Sequence, residues 1–368
     1  MARTTISSSD ADKKRAWEEK LFRDTAVNSY FMGKFTGGSV TKFVEKGGAF
    51  ESAPKDVIHI KENLLLKGKT KAQEGEKMTF TLIPRIDPTV DAGVTSGQTL
   101  KGKELALNKY HFSIELERYR QAVSAGTPLD WHRAMYAMPV ESRNALLEWG
   151  KDKIDLLCAR ALEAAPSNIF YKTSDSGPVL VRTGVLATAK SALTAANSKL
   201  TPQMVSYMKT WARTGGGRTN AVPLRPLTID GSPHYVFLTY EDAIFDWKNN
   251  SDVMTAHEYA LQRGYDNPIF KGASYVWDGV IIHTHEFVTK GTDGGSGSVP
   301  YCYGHLLGSQ ALVWAWGEKP SIVEDTEDYE EDLFFAWRMT AKVSVPSFNN
   351  QTFGSISCLV SRTNISGT

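Results

Sequence analysis

Hydrophobic and polar positions alternate with period two in several stretches of the chain. Residues 77–83 (Lys-Met-Thr-Phe-Thr-Leu-Ile) alternate, and 110–119 places Tyr110, Phe112, Ile114 and Leu116 on one face. Between these two runs, residues 84–108 are rich in Pro, Gly, Thr and Ser. A structureless loop of that length is uncommon inside a compact domain. The spacing therefore predicts a two-stranded arm projecting from the body. Such an arm needs a partner surface, because an isolated hairpin is marginal in water. Further strands are predicted at 234–239, 275–283, 310–316 and 335–345. In the last, Phe335, Trp337, Met339, Ala341, Val343 and Val345 share a face.

Period 3.6 is strongest over 139–165. Pro139 suits the first turn, Glu141 suits the positive N-terminal end, and Leu147, Ile154, Leu157, Cys158, Ala161 and Leu162 form one stripe. Pro166 marks the stop. At 1.5 Å per residue this helix would run roughly 40 Å, enough to be the spine of a domain. A second helix is expected over 201–213, capped by Thr201 and ended by Gly215-Gly-Gly217; a third runs from the cap Ser251 to Arg263-Gly264. Residues 289–300 (Thr-Lys-Gly-Thr-Asp-Gly-Gly-Ser-Gly-Ser-Val-Pro) read as a flexible loop, and the Asn/Ser/Thr-rich tail from Ser347 as a terminal strand or a loose end.

Residues 1–75 follow neither period. A short amphipathic helix is expected around Trp17, Leu21 and Phe22; beyond it Tyr30, Phe31, Phe35, Phe43 and Phe50 are isolated among glycines and lysines. Two readings stay open: an arm lying on another surface, or a loop-rich first layer of the core.

Composition narrows the class. The chain has 368 residues, 41% hydrophobic and 23% charged, which suits a folded protein of one large or two medium domains. Its 42 basic and 41 acidic residues leave a net charge of +1, without the basic excess of a protein built to neutralise nucleic-acid phosphates. Three scattered cysteines, Cys158, Cys302 and Cys358, give no disulfide framework or zinc spacing and fit a reducing compartment. No signal peptide or transmembrane helix is expected.

The search for chemistry yields little. His283 and His285 would share one face of a strand, but no third ligand is identifiable, so a solvated pair is the plainer reading. His257-Glu258 lacks the second His of a zincin, Gly215-Gly-Gly217-Arg218 lacks the lysine of a P-loop, and no GxSxG elbow occurs. Cys158 lies on the helix stripe and Trp314 and Trp316 on a strand, all expected in the core. The acidic run Glu324–Asp332 lacks a calcium-loop pattern and reads as a solvated edge. No catalytic, cofactor or metal site is assigned.

The order of short motifs resembles a major capsid protein of tailed bacteriophages, in the branch typified by the enquatrovirus-like phages. The matching residues are Trp17 with Leu21-Phe22, Ser29-Tyr-Phe31, Gly33-Lys34-Phe35, Gly75-Glu-Lys-Met-Thr-Phe80, the Gly93/Gly97 loop and Leu100-Lys-Gly-Lys-Glu104. They continue with Tyr110, Ile114, Glu117-Arg-Tyr-Arg-Gln-Ala-Val123, Leu307-Gly-Ser-Gln-Ala311 and Arg338-Met-Thr-Ala-Lys342. The resemblance covers most of the chain in order and implies an α+β fold of the Hong Kong 97 type. It implies an N-arm over 1–75, an E-loop hairpin over 76–120, and a P-domain over 121–189 with its long spine helix at 139–165. An A-domain would follow at 190–300, the P-domain sheet at 301–346 and a C-terminal tail at 347–368.

On that resemblance the chain is a structural shell protein made in a host bacterial cytoplasm and located in the virion. It would assemble with itself into hexamers and pentamers of an icosahedral head that encloses double-stranded DNA without sequence-specific binding. A separate scaffolding protein, a portal and decoration proteins are the implied partners, with no membrane and no cofactor. Trp17, Phe22, Phe31, Phe35, Val94, Leu100 and Leu105 are the residues expected at subunit interfaces. An encapsulin-like compartment shell is the alternative in the same class. A metal-dependent hydrolase using His283 and His285 is the alternative from another class.

Overall fold

The computed structural model describes residues 25, 29–35, 57–62, 77–82, 94, 99, 101, 110–134, 137–164, 166, 168–173, 180–215, 223–229, 232–260, 275–327, 331–348, 351–352 and 354–364. In chain order the helices are α1 (Tyr30–Phe35), α2 (Pro128–Arg133), α3 (Met138–Ala164), α4 (Leu186–Ser191), α5 (Pro202–Thr214), α6 (Glu241–Lys248) and α7 (Ser251–Ala260). The strands are β1 (Ile58–Glu62), β2 (Lys77–Leu82), β3 (Tyr110–Glu115), β4 (Glu117–Ser124), β5 (Ile169–Lys172), β6 (Leu180–Thr183), β7 (Leu227–Ile229), β8 (Ser232–Thr239) and β9 (Tyr275–Trp277). They continue with β10 (Val280–Thr284), β11 (Lys290–Gly294), β12 (Val299–Leu307), β13 (Leu312–Glu327), β14 (Asp332–Ser344), β15 (Ser347–Phe348), β16 (Gln351–Thr352) and β17 (Ser355–Ser361).

Two main sheets result. A four-stranded sheet has the order β1-β13-β14-β4, and a nine-stranded sheet has the path β6-β5-β17-β12-β8-β10-β9 with β11 on β12 and β7 on β8. The helix α3 joins them. Its buried residues Leu146, Gly150, Ile154, Asp155, Cys158, Ala159 and Leu162 are spaced three and four apart, so they line one face. The apolar members of this face pack with Phe335, Trp337 and Met339 of the first sheet and with Ile169, Tyr171, Tyr303 and Leu359 of the second. Leu147, Leu157 and Ala161, expected as members of the stripe, flank it half-buried. On the far side of the nine-stranded sheet, Met204, Val205, Met208 and Ala212 of α5 pack with Phe237, Ile282 and Cys358. Gly215 ends α5 at φ 65°, a left-handed cap that glycine adopts without a Cβ penalty.

Several strand expectations need correction. The run 110–119 breaks at Leu116 into β3 and β4, which belong to different sheets. The run 275–283 is two strands joined at Asp278-Gly279, both with positive φ, a tight hairpin turn of the Asp-Gly type. Residues 289–300 are not a flexible loop but the β11–β12 hairpin. Its glycines serve close packing: a Cβ on Gly291 would lie 2.6 Å from the Tyr301 ring, and one on Gly294 would lie 2.7 Å from the Val299 carbonyl oxygen.

Residues 301–346 do not form one sheet. β12 pairs with β8 and β17, whereas β13 and β14 pair with each other in the four-stranded sheet. The nine-stranded sheet that contains the strands of 190–300 also takes β5 and β6 from before that range and β17 from the tail. That tail strand is buried along its whole length between β12 and β5, so it is neither loose nor peripheral. The cap of α7 is Asn250 rather than Ser251: its side-chain oxygen accepts the Asp252 N–H at 3.0 Å. The expected end of that helix at 263–264 lies outside the described residues. The eight-residue α6 was not anticipated.

The seam between α3 and the four-stranded sheet is closely packed at Gly150 and Trp337. A Cβ at position 150 would sit 2.8 Å from the indole Nε1. Gly150→Val gains a few tenths of a kcal/mol of helix propensity but overpacks the helix–sheet seam at roughly 1–3 kcal/mol. The thermal midpoint should fall by several degrees, as read by calorimetry. An unchanged midpoint would show that α3 does not approach the sheet this closely.

Candidate assembly surface

The N-terminal segment is tied to the chain's own spine. Asp155 projects from the buried face of α3 and its two carboxylate oxygens accept the backbone N–H groups of Tyr30 and Phe31, both at 2.9 Å. Burial pushes the Asp155 carboxyl up to about 6, while the two backbone donors pull it the other way. Phe31 and Phe35 are 0% and 3% exposed. They are core residues of this subunit, which corrects their assignment to contacts between subunits. Val57 and Ile58, with β1 parallel to β13, extend the same layer. Phe31, Met32, Phe35, Val57 and Ile58, from the described parts of this region, form a layer of the core.

His283 and His285 complete that layer. The His285 ring lies 4.4 Å from Tyr30 and 5.1 Å from Phe31, and the His283 ring lies 5.9 Å from Phe35. The solvated-pair reading is corrected: both imidazoles pack against the aromatic helix α1. Sequence spacing showed that they share a face but not what covers it. Among the described residues no group of three or more His, Cys, Asp or Glu is placed to hold a metal. The three cysteines are buried and unpaired.

The hairpin β2–β3 stands on the opposite face of the four-stranded sheet. Met78, Phe80 and Ile114 pack on Val313 and Ala315, with Phe112 and Leu116 beside them. This root is anchored, and exposure rises toward the far end, where Tyr110 is 41% exposed. Val94 is half-buried; Trp17, Phe22, Leu100 and Leu105 lie outside the described residues. Exposed large apolar side chains missed by the sequence reading include Leu129 on α2, Val140 at the start of α3, Val323 on β13, and Phe245, Met254 and Val276 on α6, α7 and β9. These six lie on separate elements, and single apolar side chains on a folded surface are ordinary. Periodicity could not find them, because each sits where a polar residue would also be tolerated.

The described residues place two sheets on one spine helix, with the β2–β3 hairpin against the outer face of the four-stranded sheet. Comparison with known proteins gives this frame its class. A family model described as phage capsid protein matches residues 5–339. The chain belongs to that family: it is a major capsid protein of a phage head, a structural subunit of the virion rather than an enzyme. A major capsid protein of Pseudomonas phage KPP25 is 28% identical over 302 residues, covering 73% of this chain and 78% of that one. The capsid of Ralstonia phage GP4 matches over 100% of both chains at a TM-score of 0.71 and 21% identity. The acid-stable capsid of Helicobacter pylori bacteriophage KHP30 matches over 98% of this chain and 95% of its own at 0.63 and 11%. These structures show the fold, which is of the Hong Kong 97 type. The family match favours the phage coat over the compartment shell and the hydrolase. Among the described residues no helix is long and apolar enough to cross a membrane.

Two buried groups give the subunit opposite responses to acid. Burial raises the folded pKa of Asp155 to about 6, so this carboxyl's contribution to the stability of the subunit is fully present below pH 3.8 and is lost as pH rises through 6. The shift corresponds to on the order of 3 kcal/mol. His305 is 1% exposed, and its Nδ1 lies 3.0 Å from the Ser357 hydroxyl. Burial lowers its pKa to about 3, so its contribution is present above 6.5 and is lost as pH falls toward 3. Hydrogen exchange, corrected for intrinsic rates, should show the stretch of α3 around Asp155 better protected relative to the rest of the subunit at pH 4.5 than at pH 7. The nine-stranded sheet should lose stability over the same descent. Asp155→Asn should abolish the first dependence and His305→Gln the second. Dependences that survive these changes would place the titrating groups elsewhere.

Proposed function

We propose that this subunit forms pentamers and hexamers that close into an icosahedral head around double-stranded DNA. The two-stranded arm reaches from each subunit onto a neighbour. The reading is supported most by the β2–β3 hairpin, whose root is packed on its own sheet while residues 84–108 have no apolar face to fold on. In this reading residues 1–75 are the N-arm, and 76–120 are the E-loop. The four-stranded sheet with α3 is the P-domain, and the nine-stranded sheet with α5 to α7 is the A-domain. Each closed shell repeats the same few interfaces by symmetry, and each stable contact needs about 1,200 Å² or more. A net charge of +1 suits a wall that encloses DNA without gripping it. A scaffolding protein, a portal and decoration proteins encoded separately complete the head.

The arm's contribution follows from area. At about 25 cal/mol per Å², burying a few hundred Å² of apolar surface from Ile86, Val90, Val94, Leu100, Leu105 and Leu107 yields several kcal/mol before ordering entropy is subtracted. Replacing residues 86–104 by a short Gly-Ser turn should leave circular dichroism and melting of the subunit unchanged. Shell formation on a sizing column should be lost or reduced to loose capsomers. Normal shells from this variant would make the arm dispensable; an unfolded subunit would place it in the core.

A further inference from the structure

The face of the four-stranded sheet turned away from α3 carries charge that the described residues do not balance. On β4, Tyr119 faces α3, its ring 5.3 Å from the Lys153 ammonium. Arg118 and Arg120 therefore point to the opposite face, and both are exposed. Arg120 sits in register with Arg338 of β14. Like charges directly opposite across antiparallel strands are destabilising. Arg338 has Glu318 at 3.4 Å and donates to the Ser321 hydroxyl at 3.1 Å. Arg118 and Arg120 have no carboxylate partner among the described residues.

The far end of the same face shows the opposite sign. Glu327 sits in register with Asp332 at the tip of the β13–β14 ribbon. Asp325 lies on that face as well, its carboxylate accepting the backbone N–H of Thr326 at 3.0 Å. Neighbouring Glu324 points the other way, to Arg143 of α3. Between the acidic tip and the arginines lies Val323, 40% exposed, beside half-buried Phe334 and Ala336. Positions 332 and 338 are about 20 Å apart along β14 at roughly 3.3 Å per residue. Asp325, in register with Phe334, is about 13 Å from position 338 on the same measure, so none of these acids lies within ion-pair distance of the arginines along the sheet.

We propose that the acidic tip of one subunit, Asp325, Glu327 and Asp332, seats on the Arg118, Arg120 and Arg338 face of a second copy. The proposal rests on the shell-subunit reading above and names the charged contact through which neighbours register. Each subunit offers both halves at different places, so the contact runs head to tail and closes when repeated about a symmetry axis. It relieves both like-charge pairs, and the exposed Val323 behind the tip is covered as it forms. Carboxylate–guanidinium pairs of this kind set orientation and partner choice more than raw affinity.

A charge exchange tests this. Arg118→Glu with Arg120→Glu, and separately Glu327→Lys with Asp332→Lys, should each cut the shell fraction at least tenfold by sedimentation, with the melting profile of the subunit unchanged. Combining all four changes should restore shells. Wild-type levels of shells from either pair would overturn the proposal, and so would a folded fourfold variant that fails to assemble while the natural chain does. Where a reversal unfolds the subunit, Arg118→Gln with Arg120→Gln replaces it. Assembly of the natural chain should then weaken with added sodium chloride while that of the neutral variant is flat. Equal salt dependence would overturn the proposal. Failure of the natural chain to form shells at all would instead strike the shell reading itself.

Discussion

The close approach of α3 to the β14 strand is the constraint from which the subunit is built. Gly150 lets the indole of Trp337 lie against the helix backbone, and Trp149 meets the same ring edge-on at 5.2 Å. A long helix held this tightly to one sheet has its other half fixed in space. Ile154, Cys158 and Leu162 then present a second apolar surface, on which the nine-stranded sheet packs. The two sheets are in this way set by one rigid element rather than by a flexible joint. Close-packed seams of this kind transmit strain rather than absorb it. A shell subunit needs that property, because an error of angle within one subunit is repeated at every interface.

Buried polar groups fix what apolar packing leaves free. Asp155 is set among apolar neighbours and holds the start of α1, so the N-terminal segment has one position on the spine. At the other end of the chain Asp246 accepts the Thr363 backbone N–H, the Thr363 hydroxyl and the Lys199 ammonium, and Arg362 pairs with Asp242. Both carboxylates belong to α6, so the last described residues are clipped to one helix after β17 has entered the sheet. Breaking one partner of a buried pair costs more than the pair contributes, because the other charge is left unpaired. The α1 segment and the last described residues are thus each held by carboxylates on a helix.

The sequence was legible where one face of an element is buried and the other is not. β14 alternates buried and half-buried residues from Phe335 to Val343, and the alternation in the sequence predicted it. The paired strands β2 and β3 and the long α3 were visible for the same reason. β12 and β17 are buried on both faces and show no period two. Their place in the nine-stranded sheet was invisible, and β12 was grouped with the wrong neighbours. Glycine misled in the opposite way: Gly291 and Gly294 look like a flexible stretch but make room for Tyr301 and the neighbouring strand. For the assembly surface, the sequence offered aromatic residues such as Phe31 and Phe35, which the core absorbs. The exposed arginines and acids on the open sheet face carry no period and gain meaning only once register places them opposite one another.

Electron cryomicroscopy of the purified full chain tests the central claim most directly. The account predicts closed polyhedral shells of a single wall thickness. Each wall unit should contain one long helix lying between a four-stranded and a nine-stranded sheet, with a hairpin crossing to the adjacent unit. A uniform monomer or dimer under every condition of salt and protein concentration would contradict it.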